Sequence, residues 1–253
     1  IDFLKMLSFN DLLEAINITT NGALISAHIS DLERLKVKTV NLSIDSLQPE
    51  KFAKITRRDV FDQVWETYEL LAKSKLKLKL NVVIQSGVNT DEIADFVALT
   101  KHKEMDVRFI EEMPFNGVGV RKTTEVWDYK RILEEIRVVA PTLQTLPLET
   151  SSTSRNFKVE GAKGTVGIIP AYTRTICNDC NRIRITSTGM LKNCLFDEGV
   201  FSIRDFLRKG ASNEELKQLF VDLVAQKPKN GFVAEASRTK NKKVSESMSS
   251  IGG

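Results

Sequence analysis

The sequence predicts an α/β fold, in which βα units build a parallel sheet and a smaller region of different pattern follows. In the first half, short runs rich in Val, Ile and Leu alternate with stretches of helical periodicity. This alternation stops after Pro114, at Asn116-Gly117-Val118-Gly119. The three cysteines of the 253-residue chain, Cys177, Cys180 and Cys194, all lie beyond that point.

Four strands are predicted in the first half, each from a run of aliphatic and β-branched residues. Helices are predicted between them, for example at 60–71, where apolar residues recur at helical spacing, and after Thr90, which provides a cap. Lys77, Lys79 and Asn81 alternate with leucines, so one face of the third strand is polar. Lysine on that face needs an anion or a carboxylate partner, unless the strand is an exposed edge. The four strands are 16–20, 39–44, 78–85 and 106–110.

The second half is predicted to hold shorter and more varied elements. A polar loop is expected at 149–154 and a hairpin at 183–194, turning around Ser187-Thr188-Gly189. The tail from 237 to 253 is rich in Ser and Lys and is expected to be mobile unless it is bound. The expected domains are 1–116, 117–230 and 231–253. The remaining elements are helices at 129–136, 202–207 and 213–225 and a strand at 164–169.

Composition excludes several classes of protein. With 42% hydrophobic and 28% charged residues the chain is neither disordered nor membranous, and it contains no apolar run of about 18 residues. A net charge of +4 suits an anionic ligand, but with 7% aromatic residues it does not indicate nucleic acid. The chain starts at Ile1 with neither an initiator Met nor a secretory signal, so an incomplete chain is expected.

The cysteine cluster indicates a metal site in a reducing, cytoplasmic compartment, because three cysteines make a poor disulfide framework. Cys177 and Cys180 form a C-x-x-C, and Cys194 follows across the predicted hairpin. Three thiolates suit a [4Fe-4S] cluster with one iron open to another ligand. The alternatives are zinc, with Asp179 or a distant histidine as fourth ligand, and free buried cysteines.

Arg182 and Arg184 follow the C-x-x-C directly and alternate with Ile183 and Ile185. On a strand, both guanidinium groups share one face, and each can bind two oxygens of an anionic group. Beside a metal cluster, the two arginines would form a binding site for a polyphosphate. The alternative is a solvated edge strand with the isoleucines turned inward.

These motifs resemble those of the GTP 3′,8-cyclases, which act in molybdenum cofactor biosynthesis. The run Cys177-Asn178-Asp179-Cys180-Asn181-Arg182-Ile183-Arg184-Ile185-Thr186, continued by Gly189 to Phe196, is similar to the C-terminal signature of that family. The resemblance extends from about residue 16 to the terminal Gly252-Gly253. Its other parts are Thr19-Thr20-Asn21-Gly22, Asn41 to Leu47, Lys79 to Val83 and Arg108 to Pro114.

The resemblance implies an incomplete (β/α) barrel of the radical S-adenosylmethionine type, followed by a C-terminal region with a [4Fe-4S] cluster. It implies that Cys177, Cys180 and Cys194 bind this cluster and that its open iron meets the guanine of GTP. It assigns the triphosphate of GTP to four basic side chains, Lys79, Arg108, Arg182 and Arg184.

The same resemblance assigns S-adenosylmethionine to Thr20, Ser43 and Met113, and a role in the radical step to Gly252 and Gly253. Alternatives remain open, since Thr20 can begin a turn and Met113 can fill a core. Strict alternation puts Arg108 and Met113 on opposite faces, so the strand between them must end or bend near Glu112.

One motif of the family is absent from residues 1–253: the N-terminal C-x-x-x-C-x-x-C that holds a second [4Fe-4S] cluster for S-adenosylmethionine cleavage. The intact parent is expected to convert GTP to 3′,8-cyclo-7,8-dihydro-GTP, with the chain alone inactive. Expected partners are GTP, S-adenosylmethionine, an electron donor and a second copy of the chain, with no nucleic acid or membrane. The alternative is a non-catalytic, metal-containing nucleotide-binding paralogue.

Overall fold

The computed structural model describes residues 1–113, 125–149, 152–175, 177 and 180–237. They divide into two compact units. The first contains 1–112, 125–148 and 154–170, and the second contains the other described residues. The expected boundary at 116 does not coincide with this division, because a helix and three strands beyond residue 124 belong to the first unit.

A seven-stranded sheet forms the centre of the first unit. Four of its strands and one later strand pair in parallel, and two short antiparallel strands complete one edge. The predicted α/β class with a mostly parallel sheet is confirmed. The strands are β1 (Ile16–Thr20), β2 (Val37–Ser43), β3 (Lys77–Ile84), β4 (Asp106–Glu111), β5 (Gln144–Thr145), β6 (Arg155–Lys158) and β7 (Thr165–Ile169), in spatial order β1-β2-β3-β4-β7-β6-β5.

Helices of the first unit supply apolar side chains to a core shared with the sheet. β3 buries Leu78, Leu80, Val82 and Ile84, which alternate with its polar residues. That alternation predicts one face against helices and one polar face, as found. The helices are α1 (Asp2–Ser8), α2 (Ile29–Arg34), α3 (Pro49–Thr56), α4 (Phe61–Leu71), α5 (Ile93–His102) and α6 (Tyr129–Val139), with 3-10 turns at Ser26–His28 and Thr90–Glu92.

In its described residues, the second unit contains a small antiparallel sheet and three helices, with two small apolar clusters. The predicted hairpin is present, and Gly189, at φ 80°, forms its turn. Its strands are shorter than predicted, because pairing stops at Arg184 and Lys192. The elements are β8 (Arg184–Ile185), β9 (Met190–Lys192), β10 (Phe201–Ser202), α7 (Ile203–Arg208), α8 (Asn213–Ala225) and α9 (Gly231–Ala236).

None of the helices in the described ranges combines the length and the apolar character needed to cross a bilayer.

Candidate functional site

The strand register assembles a polar face on the sheet of the first unit. Lys79 on β3 pairs with Asn41 on β2 and with Asp106 on β4. Two residues further along β3, Asn81 pairs with Arg108 on β4. Because laterally paired residues point to the same side of a sheet, these polar side chains share one face. The polar face predicted for a single strand therefore spans three strands.

Lys79 has the carboxylate partner that its position required. Its Nζ lies 3.4 Å from Oδ2 of Asp106, and Nζ of Lys77 lies 3.1 Å from the same oxygen. Burial lowers the pKa of the Lys79 ammonium, and the attraction of Asp106 offsets this only in part. Burial alone would raise the pKa of Asp106, but a hydrogen bond from Thr165 and the two ammonium groups hold it below its usual range. Because Lys77 and Lys79 share the single carboxylate of Asp106, the group keeps a net positive charge that can attract an anion.

Arg108 lies half-buried on this polar face, and burial lowers the pKa of its guanidinium. Its Nη2 donates to Oδ1 of Asn41. Its Nε, however, is buried without a hydrogen-bond partner among the described residues, and so is Oδ1 of Asn81. Buried polar atoms are rarely left unsatisfied, so a donor and an acceptor left open on one face fit a polar ligand.

Gly167 on β7 makes room for this arrangement. It pairs with Arg108, and a Cβ at residue 167 would lie 3.2 Å from Cγ of Arg108 and 2.3 Å from Oγ of Ser154. Oδ1 of Asn156 would be 2.9 Å away. Only glycine lets these side chains approach the strand so closely.

A hydrogen-bond network holds the carboxyl ends of β2 and β3 together. Oδ1 of Asp45 accepts from Val83 N at 2.8 Å, and the fully buried Asn89 donates to the carbonyl oxygens of Asp45 and Val83 at 2.7 and 2.9 Å. Burial raises the pKa of Asp45 to about 6, and Glu112 contributes to the increase. Sequence reasoning missed both residues, although an Asn between a strand and a helix cap is a typical turn signal.

The three residues assigned to S-adenosylmethionine lie in different surroundings. Oγ1 of Thr20, at the end of β1, accepts a hydrogen bond from Gly22 N at 3.1 Å, as the turn alternative requires. Ser43 is half-buried at the end of β2 and pairs with Asn81. Met113 belongs to the second unit and packs against the apolar cluster of Phe196 and Ala234. β4 ends at Glu111, as expected.

The three cysteines are half-buried free thiols in the second unit. The backbone N–H of Cys180 donates to the carbonyl oxygen of Cys177 at 3.3 Å. Burial raises the pKa of the Cys194 thiol, and Asp197 and Cys177 contribute to the increase. Cys177 and Cys194 therefore interact electrostatically although they are distant in sequence.

Arg182 and Arg184 are turned toward the cysteines. Nη1 of Arg182 lies 3.9 Å from Sγ of Cys180. Burial lowers the pKa of Arg184, with Arg182 adding to this and the thiolates of Cys180 and Cys194 opposing it. The intervening isoleucines face solvent instead, since Ile183 is 41% and Ile185 55% exposed. This is the reverse of the edge-strand alternative, in which the isoleucines would be inside.

Asp197 fixes the backbone at Cys194. Its Oδ2 accepts from Asn193 N at 3.1 Å and from Cys194 N at 2.7 Å, and its Oδ1 accepts from Gly199 N at 2.8 Å. Sequence reasoning missed this carboxylate, which lies three residues beyond the last cysteine and makes a side-chain turn of a kind typical of Asp.

Arg174 fixes the backbone at Cys177, and sequence reasoning missed this residue as well. It has a left-handed backbone, with φ 56°, and its carbonyl oxygen accepts from Cys177 N at 3.2 Å. Its guanidinium lies over the rings of Phe196 and Phe232, with centroids at 3.7 and 4.5 Å, and pairs with Glu235 on α9 at 2.8 Å. The cation–π contact with Phe232 and the ion pair with Glu235 anchor Arg174 to α9.

The donor chemistry of the cysteines fits an iron–sulfur cluster, because thiolates are its usual ligands. Within the described part of the chain, no group of three or more His, Cys, Asp or Glu is arranged to hold a metal ion. Convergence of the three sulfur atoms therefore stays a prediction. Asp179, Gly252 and Gly253 lie outside the described residues.

Comparison with known proteins gives consistent matches along the chain. The family model of the radical SAM superfamily matches residues 2–100, and the family model described as Molybdenum Cofactor Synthesis C matches residues 105–233.

Individual relatives carry two names. The chain is 37% identical to a GTP 3′,8-cyclase of Chlorobaculum tepidum, with 95% of this chain and 72% of that protein covered. It is 33% identical to a GTP 3′,8-cyclase of Desulforamulus reducens, with 100% and 77% covered. It is also 40% identical to molybdenum cofactor biosynthesis protein 1 of Bos taurus, with 90% of this chain covered. The chain spans only 36% of that longer protein.

Proposed function

Because this chain belongs to the GTP 3′,8-cyclase family of radical SAM proteins, we propose that it binds GTP beside a [4Fe-4S] cluster. The reaction would be conversion of GTP to 3′,8-cyclo-7,8-dihydro-GTP in molybdenum cofactor biosynthesis. One observation carries the proposal. In the segment 182–185, two arginines turn toward the thiols and two isoleucines turn to solvent, and guanidinium groups can each bind two phosphate oxygens.

The basic residues have distinct tasks in this proposal. Arg182 and Arg184 bind phosphate oxygens as planar forks, whereas Lys79 provides a point charge. Arg108 uses its open Nε for a ligand oxygen, while Asn41 keeps its Nη2 in place. The open Oδ1 of Asn81 accepts from a ligand hydroxyl or amine.

Cys177, Cys180 and Cys194 would hold the cluster, which supplies an open iron for the guanine of GTP. S-adenosylmethionine would lie near Thr20, Ser43 and Met113, and Gly252 and Gly253 would act near the reacting atoms. Residues 1–176 contain no cysteine and cannot ligate a second cluster, so we assign no radical step to them and expect residues 1–253 alone to be inactive. An electron donor, a homodimeric assembly and a cytoplasmic location complete the proposal.

The test is GTP binding by the reconstituted chain. After anaerobic incubation with iron and sulfide, we expect about four irons and four sulfides per chain. Calorimetry should then give a GTP affinity that falls about 10- to 100-fold in Arg184→Ala, since a charge-assisted bond contributes about 1.5–3 kcal/mol.

Arg208→Ala is the matched control, because Arg208 is an exposed arginine at the end of α7 in the same unit. Its affinity for GTP should equal that of the wild type. One zinc ion without sulfide, or an unchanged affinity in Arg184→Ala, would contradict the proposal. Neither the relatives nor their names favour the alternative of a non-catalytic paralogue.

A further inference from the structure

Lys227 lies where the two segments carrying the cysteines separate. The ladder between β8 and β9 ends at the pair Arg184–Lys192. Beyond it, one segment leads back to Cys180 and the other leads on to Cys194. Continued pairing would hold these segments side by side at strand spacing, about 5 Å apart, which leaves no room for a cluster between their thiols.

The ammonium of Lys227 bridges the two segments at this point. Its Nζ donates to the carbonyl oxygen of Arg182 at 2.8 Å and to the carbonyl oxygen of Asn193. These carbonyl groups lie just outside the ladder, where strand pairing no longer provides a donor. Leaving a partly buried carbonyl without a hydrogen bond is costly, and Lys227 provides the donor for both. The Lys227 side chain therefore provides a hydrogen bond to a carbonyl group of each segment while keeping the two segments apart.

The position of Lys227 is itself fixed by α8. Its backbone N–H donates to the carbonyl oxygen of Val224 at 3.0 Å, just past the end of that helix. Asn193 is tied to the same helix, because its Nδ2 donates to the carbonyl oxygen of Leu223 at 3.1 Å. A cation at this end is also favoured by the helix dipole.

The charge of Lys227 has no carboxylate partner within 4.0 Å among the described residues. In the described part of the chain, its ammonium donates to the two carbonyl oxygens, and its positive charge acts on the thiol of Cys194. A half-buried ammonium without a counter-ion is costly, so it favours an anionic neighbour. Three thiolates around a [4Fe-4S] core provide such a neighbour.

We propose that Lys227 is a positioning residue for the cysteine site, which holds the Arg182 and Asn193 segments at cluster spacing and places a positive charge beside the cluster. The inference rests on the proposed function, because it assumes that the three cysteines bind a cluster. It adds a residue outside the cysteine and arginine motif and gives it two separable tasks, hydrogen bonding and charge.

Four variants of the reconstituted chain test these tasks: Lys227→Met, Lys227→Gln, Lys227→Arg and, as control, Lys229→Met at an exposed lysine two residues away. The readouts are the rate of iron release to a chelator and the midpoint reduction potential of the cluster. We expect Lys227→Met to release iron at least about fivefold faster and to have a more negative potential, since a positive charge favours the reduced cluster. Lys227→Gln should share the shifted potential but release iron more slowly than Lys227→Met.

Lys227→Arg should keep the wild-type potential, and Lys229→Met should match the wild type in both readouts. If Lys227→Met has the wild-type release rate and potential, the inference is wrong. If Lys227→Met does not fold, the test is the comparison of the reduction potentials of Lys227→Gln and Lys227→Arg. Equal potentials in these two variants would overturn the inference. A wild-type chain that loads no cluster would instead refute the proposed function.

Discussion

Ionisation of Asp45 affects stability at the carboxyl ends of β2 and β3, and the sign of the effect follows from burial of the carboxyl group. Its pKa rises from 3.8 to about 6 in the folded chain. Between those values the folded state binds the proton more tightly than the unfolded state. The carboxyl therefore contributes stability at low pH that is lost as the pH rises through about 6, the opposite of a salt-bridged aspartate.

Asp45→Asn should remove this dependence, because an amide keeps the acceptor for Val83 N and cannot ionise. The free energy of unfolding of the variant, relative to the wild type, should increase by about 2 kcal/mol between pH 4.5 and pH 7.5. Urea unfolding at the two pH values measures it. Asp59→Asn, at an exposed aspartate, is the control. Parallel pH profiles for Asp45→Asn and the wild type would contradict the prediction.

Single residues also mark the limit of what the sequence predicts about the site. Alternation predicted that Arg182 and Arg184 share a face, because that depends only on strand geometry. It left open which face is inward, since the answer depends on Cys194 and Asp197, which reach the arginines only through folding. Lys79 was predicted to need a counter-charge, but only the register with β4 identifies it as Asp106.

At the scale of the element, β7 decides how closely the polar face can pack. Gly167 has two sets of close neighbours. One is Cγ of Arg108, and the other is the hydrogen-bonded pair of side chains Ser154 and Asn156. Cγ of Arg108 thus lies close to a strand position where no Cβ is present, and its guanidinium reaches Asn41 on β2. A Cβ at residue 167 would push against this side chain at its base, so a small change in β7 should affect ligand binding as well as stability.

Gly167→Ala tests this dependence. Its Cβ would lie 2.3 Å from Oγ of Ser154, so side chains must shift and overpacking should cost about 1–3 kcal/mol in the free energy of unfolding. GTP affinity should also fall, because Arg108 moves. Urea unfolding and calorimetry measure the two effects.

Ser154→Ala provides the control, alone and combined with Gly167→Ala. Removing the nearest atom should restore part of the lost stability in the double variant, giving a favourable coupling in the double-mutant cycle. Stability and GTP affinity equal to the wild type in Gly167→Ala would show that β7 does not restrict Arg108.

Helices and strands could be predicted where the periodic pattern of apolar residues extends over many positions. β3 and α4 follow from their patterns because each buries four or more side chains. β6 was missed, since it has four residues with only Phe157 buried, too few to show a period. The hairpin was predicted too long, because side chains of Lys227 and Asp197 replace strand pairing beyond its ladder.

On the scale of the whole molecule, the division into units depends on non-local strand pairing. β7 joins the first unit through its parallel ladder with β4, for example at Asp106 and Thr165. The 53 residues between the end of β4 at Glu111 and the start of β7 at Thr165 give no local sign of this pairing, and the boundary predicted at 116 from the break in pattern after Pro114 falls between these two strands. The cores also differ, since the described residues of the first unit form one large apolar cluster and those of the second form two small ones.

This difference predicts that the cluster stabilises the second unit selectively. A small core is marginal without a metal or another cross-link, and a ligand that binds only the folded state raises stability by mass action. The two tryptophans, Trp65 and Trp127, both belong to the first unit, so their fluorescence reports that unit alone. Far-ultraviolet circular dichroism reports both units.

Without the cluster, urea should unfold the chain in two steps by circular dichroism, of which only the later coincides with the fluorescence transition. Loading the cluster should raise the midpoint of the early step by on the order of 1 M urea and leave the fluorescence midpoint unchanged. In Cys194→Ser, the same loading treatment should leave the urea midpoint of the early step unchanged, because the cluster lacks one ligand. If both signals coincide before loading and move together afterwards, the two units unfold as one and the selective effect is absent.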